Sequence, residues 1–240
     1  MEKFKTKQDG FKEIRKAIII IGIQTSLLAT FGGLVIFHFN TNGQHSSVSI
    51  LPFFIPMVLG AIAFGLYIGI KRQKVIFDSY ILTIDNSGIT REQYNTPKIT
   101  IPNEDISEIV KNSNGSFTIK DKSSLNVIGV PSQINDYEKL EKSLSDIRQI
   151  SIKKSEPFLQ KFRGLLSILT VGLMVAVYIS TDKIIIGVSG TVLLAILGNS
   201  LFEIQRSKNI DNKTKKVMWW LILLIVTIGG VMYYKLTGQP

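Results

Sequence analysis

The residues of this chain that could do chemistry are few and poorly grouped. His38 and His45 are its two histidines, and cysteine is absent from all 240 positions. Disulfides, thiolate metal sites and thiol nucleophiles are therefore excluded together. The two histidines have no carboxylate beside them, short of the three or four ligands that a zinc site needs. Asp136, Glu138 and Glu141 lie close in sequence, but they read as helix capping and a solvated face rather than an acid–base pair. Gly32-Gly33 and Gly229-Gly230 are embedded in apolar runs, so no glycine-rich loop is free to cradle a phosphate. No catalytic residue, cofactor or metal site is implied, and the expectation is a protein that is not an enzyme.

The elements that carry these residues are dominated by five apolar stretches without Asp, Glu, Lys or Arg: Ala17–Phe39, Val48–Ile70, Gly164–Thr181, Ile184–Phe202 and Val217–Tyr234. Each is long enough to cross a hydrocarbon core about 30 Å thick. Helices buried in a soluble core normally keep a polar stripe, which these lack. Trp219 and Trp220 open the last stretch and Tyr233 and Tyr234 close it, as befits two membrane interfaces. Pro52 suits a helix start, and Pro56 should bend the second helix. The first stretch exceeds a signal-peptide core and no small-residue cleavage site follows, so it reads as a permanent helix.

Polar side chains within the stretches are sparse and none at membrane depth is ionisable, unlike the proton relays and ion paths of transporters. Gln24 and Asn199 are suited to hydrogen bonds between helices, and Ala29–Gly33 and Gly65–Gly69 have the spacing of close helix contacts.

A net charge of +10 suggests either nucleic acid or a membrane surface, and its placement favours the membrane. Lys and Arg number six before the first stretch, none between the first two, and fifteen between the second and third. One follows the third, five follow the fourth and one follows the fifth, so alternate segments hold 26 and 2. This bias predicts a cytoplasmic N-terminus, an external C-terminus and residence in the cell membrane. Lys71, Arg72 and Lys74, with Lys153, Lys154, Lys161 and Arg163, flank the spans where they can meet anionic lipid or serve as ordinary anchors. Residues 1–16 form a basic leader, lying at the inner interface through Phe4, Phe11 and Ile14 or disordered in water.

Residues 71–153 have a different texture, between a hairpin of spans (17–70) and three further spans (154–240). Tyr80–Ile84, Ile89–Tyr94, Lys98–Pro102, Ile106–Lys111, Ser116–Lys120 and Leu125–Val130 are short alternating or β-branched runs. The turn residues Asp85–Gly88 and Asn112–Gly115 separate successive runs, which predicts an antiparallel meander. Asn135 followed by Glu138 predicts a capped helix burying Tyr137, Leu140, Leu144 and Ile147. The fold class expected is thus a five-span helical bundle with an inserted α+β domain, an antiparallel barrel or sandwich closed by one helix.

The order Leu82-Thr83, Gly88-Ile89, Ile101-Pro102, Ile106, Ile109 and Val130-Pro131-Ser-Gln-Ile134, then Leu140 and Leu144, resembles the bacterial pleckstrin-homology-like (PH-like) domains of membrane proteins. The resemblance covers roughly residues 74–150. It implies a seven-stranded barrel capped by a C-terminal helix and no assigned chemistry. Six strands are legible, and a seventh would come from Val75–Phe77 or from splitting a longer run. The phosphoinositide specificity of eukaryotic relatives does not carry over, because the first turn, Asp85–Gly88, is acidic. The function expected is protein interaction or assembly at the inner leaflet through an edge strand or the groove beside the helix. The alternative is an accessory or regulatory subunit of a membrane transport or export system. Expected partners are membrane lipids and a protein, a second copy included, rather than nucleic acid.

Overall fold

The computed structural model describes residues 1–40, 51–123, 126–152 and 162–238. The chain divides into two compact units, a helical one (Ile18–Ile68, Lys161–Arg206, Lys216–Pro240) and a sheet domain (Met1–Ala17, Gly69–Gln160, Ser207–Lys215).

The helical unit is built on α1 (Phe11–Asn40), α2 (Leu51–Asp78), α4 (Arg163–Ile179), α5 (Lys183–Arg206) and α7 (Trp220–Thr237), the last preceded by the short α6 (Asn212–Met218). Among the described residues four spans are long and apolar enough to cross a membrane: α1, Ile55–Asp78 of α2, α5, and Asn212–Thr237. Large apolar side chains such as Phe31, Phe64, Val188 and Leu223 stay exposed around them, which hydrocarbon tolerates and water does not. The protein is therefore a membrane protein. The third stretch forms the shorter helix α4, whose 17 residues give about 25 Å of rise. Val177, Ile186, Leu193, Ile228 and Met232 form the core shared by α4, α5 and α7. Pro56 lies inside α2.

Among the described residues the sheet domain holds two four-stranded sheets. The first is antiparallel in the order β1 (Glu2–Lys5), β2 (Ile81–Ile84), β3 (Gly88–Glu92), β4 (Ile99–Pro102). The second runs β7 (Val127–Val130), β6 (Phe117–Asp121), β5 (Ile106–Lys111), β8 (Ile150–Ile152), with β8 parallel to β5. Alternation turns Leu82, Ile89, Ile101, Ile109, Phe117 and Ile128 into one core. Helix α3 (Tyr137–Ile147) closes it with Leu140 and Leu144, both fully buried. The Asp85–Gly88 turn forms because Asp85 Oδ1 accepts hydrogen bonds from Ser87 N at 2.8 Å and Gly88 N at 2.9 Å. A Cβ at Gly88 would lie 2.4 Å from the Ile101 carbonyl oxygen, so only glycine lets β3 approach β4 there. Gly115, at φ +78°, supplies the left-handed residue of the β5–β6 turn.

Three expectations are corrected. The N-terminal residues are not merely a basic leader. Lys3 and Lys5 flank Phe4, which pairs with Leu82 and is buried in the core, so the additional strand comes from here and from β8. Val75–Phe77 is not a strand, because α2 continues unbroken to Asp78. Asn135 does not cap α3: its backbone N–H donates to the Lys5 carbonyl at 2.8 Å, and the N-cap is Asp136 at φ 53°, without a side-chain cap.

Candidate binding pocket

Strand β3 places Arg91 two residues after Ile89, hence on the same inward face. Arg91 as a whole is 1 % exposed. Nη1 donates to Gln93 Oε1 at 3.0 Å, and Nη2 donates to the Pro97 and Lys208 carbonyls, each at 3.0 Å. Nε has no acceptor among the described residues. Burial pulls this guanidinium below its usual range, though a guanidinium remains charged at any physiological pH. Arg91 forms one wall of a cavity of about 370 Å³. Tyr80 shares that wall, with its hydroxyl donating to the Gly129 carbonyl at 2.9 Å, and burial pushes its phenol well up. Ile14, Ile76, Phe77 and Val130 supply apolar surface.

The segment 207–215 is held against the domain by its own polar groups. Asn209 Nδ2 donates to the Val127 carbonyl at 2.8 Å, Lys208 Nζ donates to Asn126 Oδ1 at 2.6 Å, and Asn212 N donates to the Asn95 carbonyl at 2.9 Å. Asp211, almost fully buried, accepts from the backbone N–H groups of Lys213 and Thr214, from the Thr214 hydroxyl and from Arg72. Burial alone would raise the Asp211 carboxyl. The hydrogen bonds from Thr214 and Arg72 outweigh it and hold the group below the usual carboxylate range.

Comparison with family models, curated proteins and solved structures finds no match. The pocket and the clamp rest on their own geometry.

The basic residues singled out from the sequence divide accordingly. Lys71 and Lys74 are exposed on the last turns of α2. Arg72, on the same turns, is committed to Asp211 and Thr214 rather than open to lipid. Lys153, Lys154 and Lys161 lie outside the described residues, and Arg163 begins α4. Gln24 is exposed on α1. Asn199 Nδ2 donates to Glu203 Oε1 at 3.4 Å, one turn along its own helix. His38 stacks edge-on against Phe39, and His45 lies outside the described residues. Among the described residues no three His, Asp or Glu side chains gather as a metal site. The sequence reading missed Arg91 and Asp211. Arg91 had a usable signal, an arginine at the inward position of an alternating strand.

Proposed function

We propose that this is a non-enzymatic multi-pass membrane protein whose cytoplasmic PH-like domain mediates protein interaction or assembly at the inner leaflet. The observation that carries this reading is the terminal strand β4. No strand among the described residues pairs with its outer edge, while Ile99 and Ile101 anchor its inner face. An open antiparallel edge of this kind accepts an extended segment of another chain. The PH-like assignment is supported by two sheets closed by one helix following the meander, with β1 supplying a strand from before the spans.

Five spans and an internal N-terminus are supported by a parity argument. Strand β1 pairs with β2, so the chain returns to its starting side after α1 and α2, as it does when both cross. Segment 207–215 bonds to the same domain, which fits α4 and α5 crossing as a pair despite the shortness of α4. Lys235 of α7 donates to the Val177, Tyr178 and Ser180 carbonyls at 3.2, 2.6 and 3.0 Å, which brings the ends of α4 and α7 to one level. The distribution of Lys and Arg then favours the cytoplasmic side for the domain.

The clamp at 207–215 favours a second reading, a regulatory subunit of a transport system, because that segment runs directly into two spans. Photo-crosslinking from Thr100 on β4 in native membranes tests the first. A discrete adduct, with a partner or a second copy, is expected. Its absence, together with co-purification of a transporter through the spans alone, would replace the first reading by the second.

A further inference from the structure

Arg91 is shut off from solvent, yet every acceptor it meets among the described residues is neutral: the Gln93 amide and the Pro97 and Lys208 carbonyls. Buried charges are costly unless an opposite charge compensates them. Among the described residues no Asp or Glu lines the adjoining cavity, and Arg91 Nε lacks an acceptor. The cavity volume, about 370 Å³, falls within the range of small-ligand sites. Its surface pairs this one cation with Ile14, Ile76, Phe77 and Val130.

We propose that the cavity binds a monoanion with an apolar body, a carboxylate of the fatty-acid type. Its charged end lies toward Arg91 and its chain lies against Ile14, Ile76 and Val130. A polyanion fits poorly, since Arg91 is the single cationic side chain in the wall among the described residues. Inside the wall the guanidinium acts through a low-dielectric medium, which strengthens its pull on a bound anion. Ile14 and Gln73 stand within one turn of the apolar stretches of α1 and α2, so the ligand can arrive from water or from the leaflet. The proposal is independent of the β4 edge, because Arg91 and its neighbours act without a protein partner.

The test uses the full-length protein in phosphatidylcholine nanodiscs, titrated with sodium octanoate and, as the neutral control, octan-1-ol. A second set of discs carries oleate in the lipid. Hydrogen exchange in β7 and at residues 207–210 is the readout. Two variants accompany the wild type. Arg91→Met removes the charge and keeps the stem. Gly129→Leu places a bulky side chain at the cavity lining on β7, where an added Cβ would meet no atom within 4 Å. Saturable protection by carboxylate and not by alcohol is expected, weakened about tenfold or more in both variants. Gly129→Leu should keep the wild-type melting temperature, and it carries the test alone if Arg91→Met does not fold. Protection by octanoate assigns a water-borne ligand, and protection confined to oleate discs assigns a bilayer source. Failure of both carboxylates, equal protection by octanol, or undiminished protection in Gly129→Leu overturns the proposal.

Discussion

Asp211 joins three functions in one side chain. It caps α6 through the Lys213 and Thr214 amides, pairs with Arg72, and meets Asn95 Nδ2 at 3.4 Å. Removing a carboxylate that is both a cap and a mostly buried ion-pair partner leaves donors unsatisfied, so Asp211→Ala should cost about 2 kcal/mol. Hydrogen exchange is the measurement: protection at 207–215 should fall while β5 and β6 stay protected. The pH dependence follows from the depressed carboxyl. A group whose folded pKa lies below its unfolded value stabilises the fold above the unfolded value, about 3.9 for Asp. That contribution is lost as pH falls through the lower, folded value. Segment 207–215 should therefore remain clamped at pH 5 and release only under stronger acid, and release near pH 6 would refute the assignment.

The elements of the sheet domain show what local sequence can and cannot reveal. Six strands and α3 were legible because each carries its own alternation or helical period, bounded by turns such as Asp85–Gly88 and Asn112–Gly115. Strand β1 was not legible. It has one apolar residue, Phe4, between lysines, and its partner β2 lies beyond a whole pair of helices, so its stability comes entirely from a non-local pairing. Strand β8 is shorter still and pairs parallel with the distant β5. The cap of α3 escapes a local reading because the Asn135 backbone is used by β1, which no local rule anticipates. Arg91 and Asp211 depend on segments far apart in sequence, and only the inward position of Arg91 was available to be noticed. The energetic consequence is testable. Phe4 is 3 % exposed and packs in the core, so Phe4→Ala should destabilise the domain by about 3 kcal/mol. Lys3→Ala, on the outward face, should cost less than about 0.5 kcal/mol. Thermal unfolding in detergent separates the two outcomes, and equal small effects would mean that β1 contributes nothing to the core.

At the scale of the whole molecule, the sheet domain is assembled from segments before, between and after membrane helices, and this constrains topology more tightly than hydropathy does. The weakest hydropathic case is α4, which is shorter than the four membrane-length spans. Were α4 to lie in the interface while α5 crossed, segment 207–215 would emerge on the side opposite the domain that binds it. The Asn209–Val127 and Arg91–Lys208 hydrogen bonds could not then form. The proposed five-span arrangement therefore requires the α4–α5 turn, around Thr181, to face outward while Asn86 in the β2–β3 turn faces the cytoplasm. Because the chain has no cysteine, single substitutions report without background. Thr181 and Asn86 are both exposed, so Thr181→Cys and Asn86→Cys should leave the fold undisturbed. A membrane-impermeant maleimide applied to intact cells should label Thr181→Cys and spare Asn86→Cys until the membrane is permeabilised. Labelling of both from one side would place α4 and α5 together on that side and remove one pair of crossings. Labelling of Asn86→Cys alone would keep the parity and invert the orientation, leaving the clamp intact while overturning the cytoplasmic site of interaction.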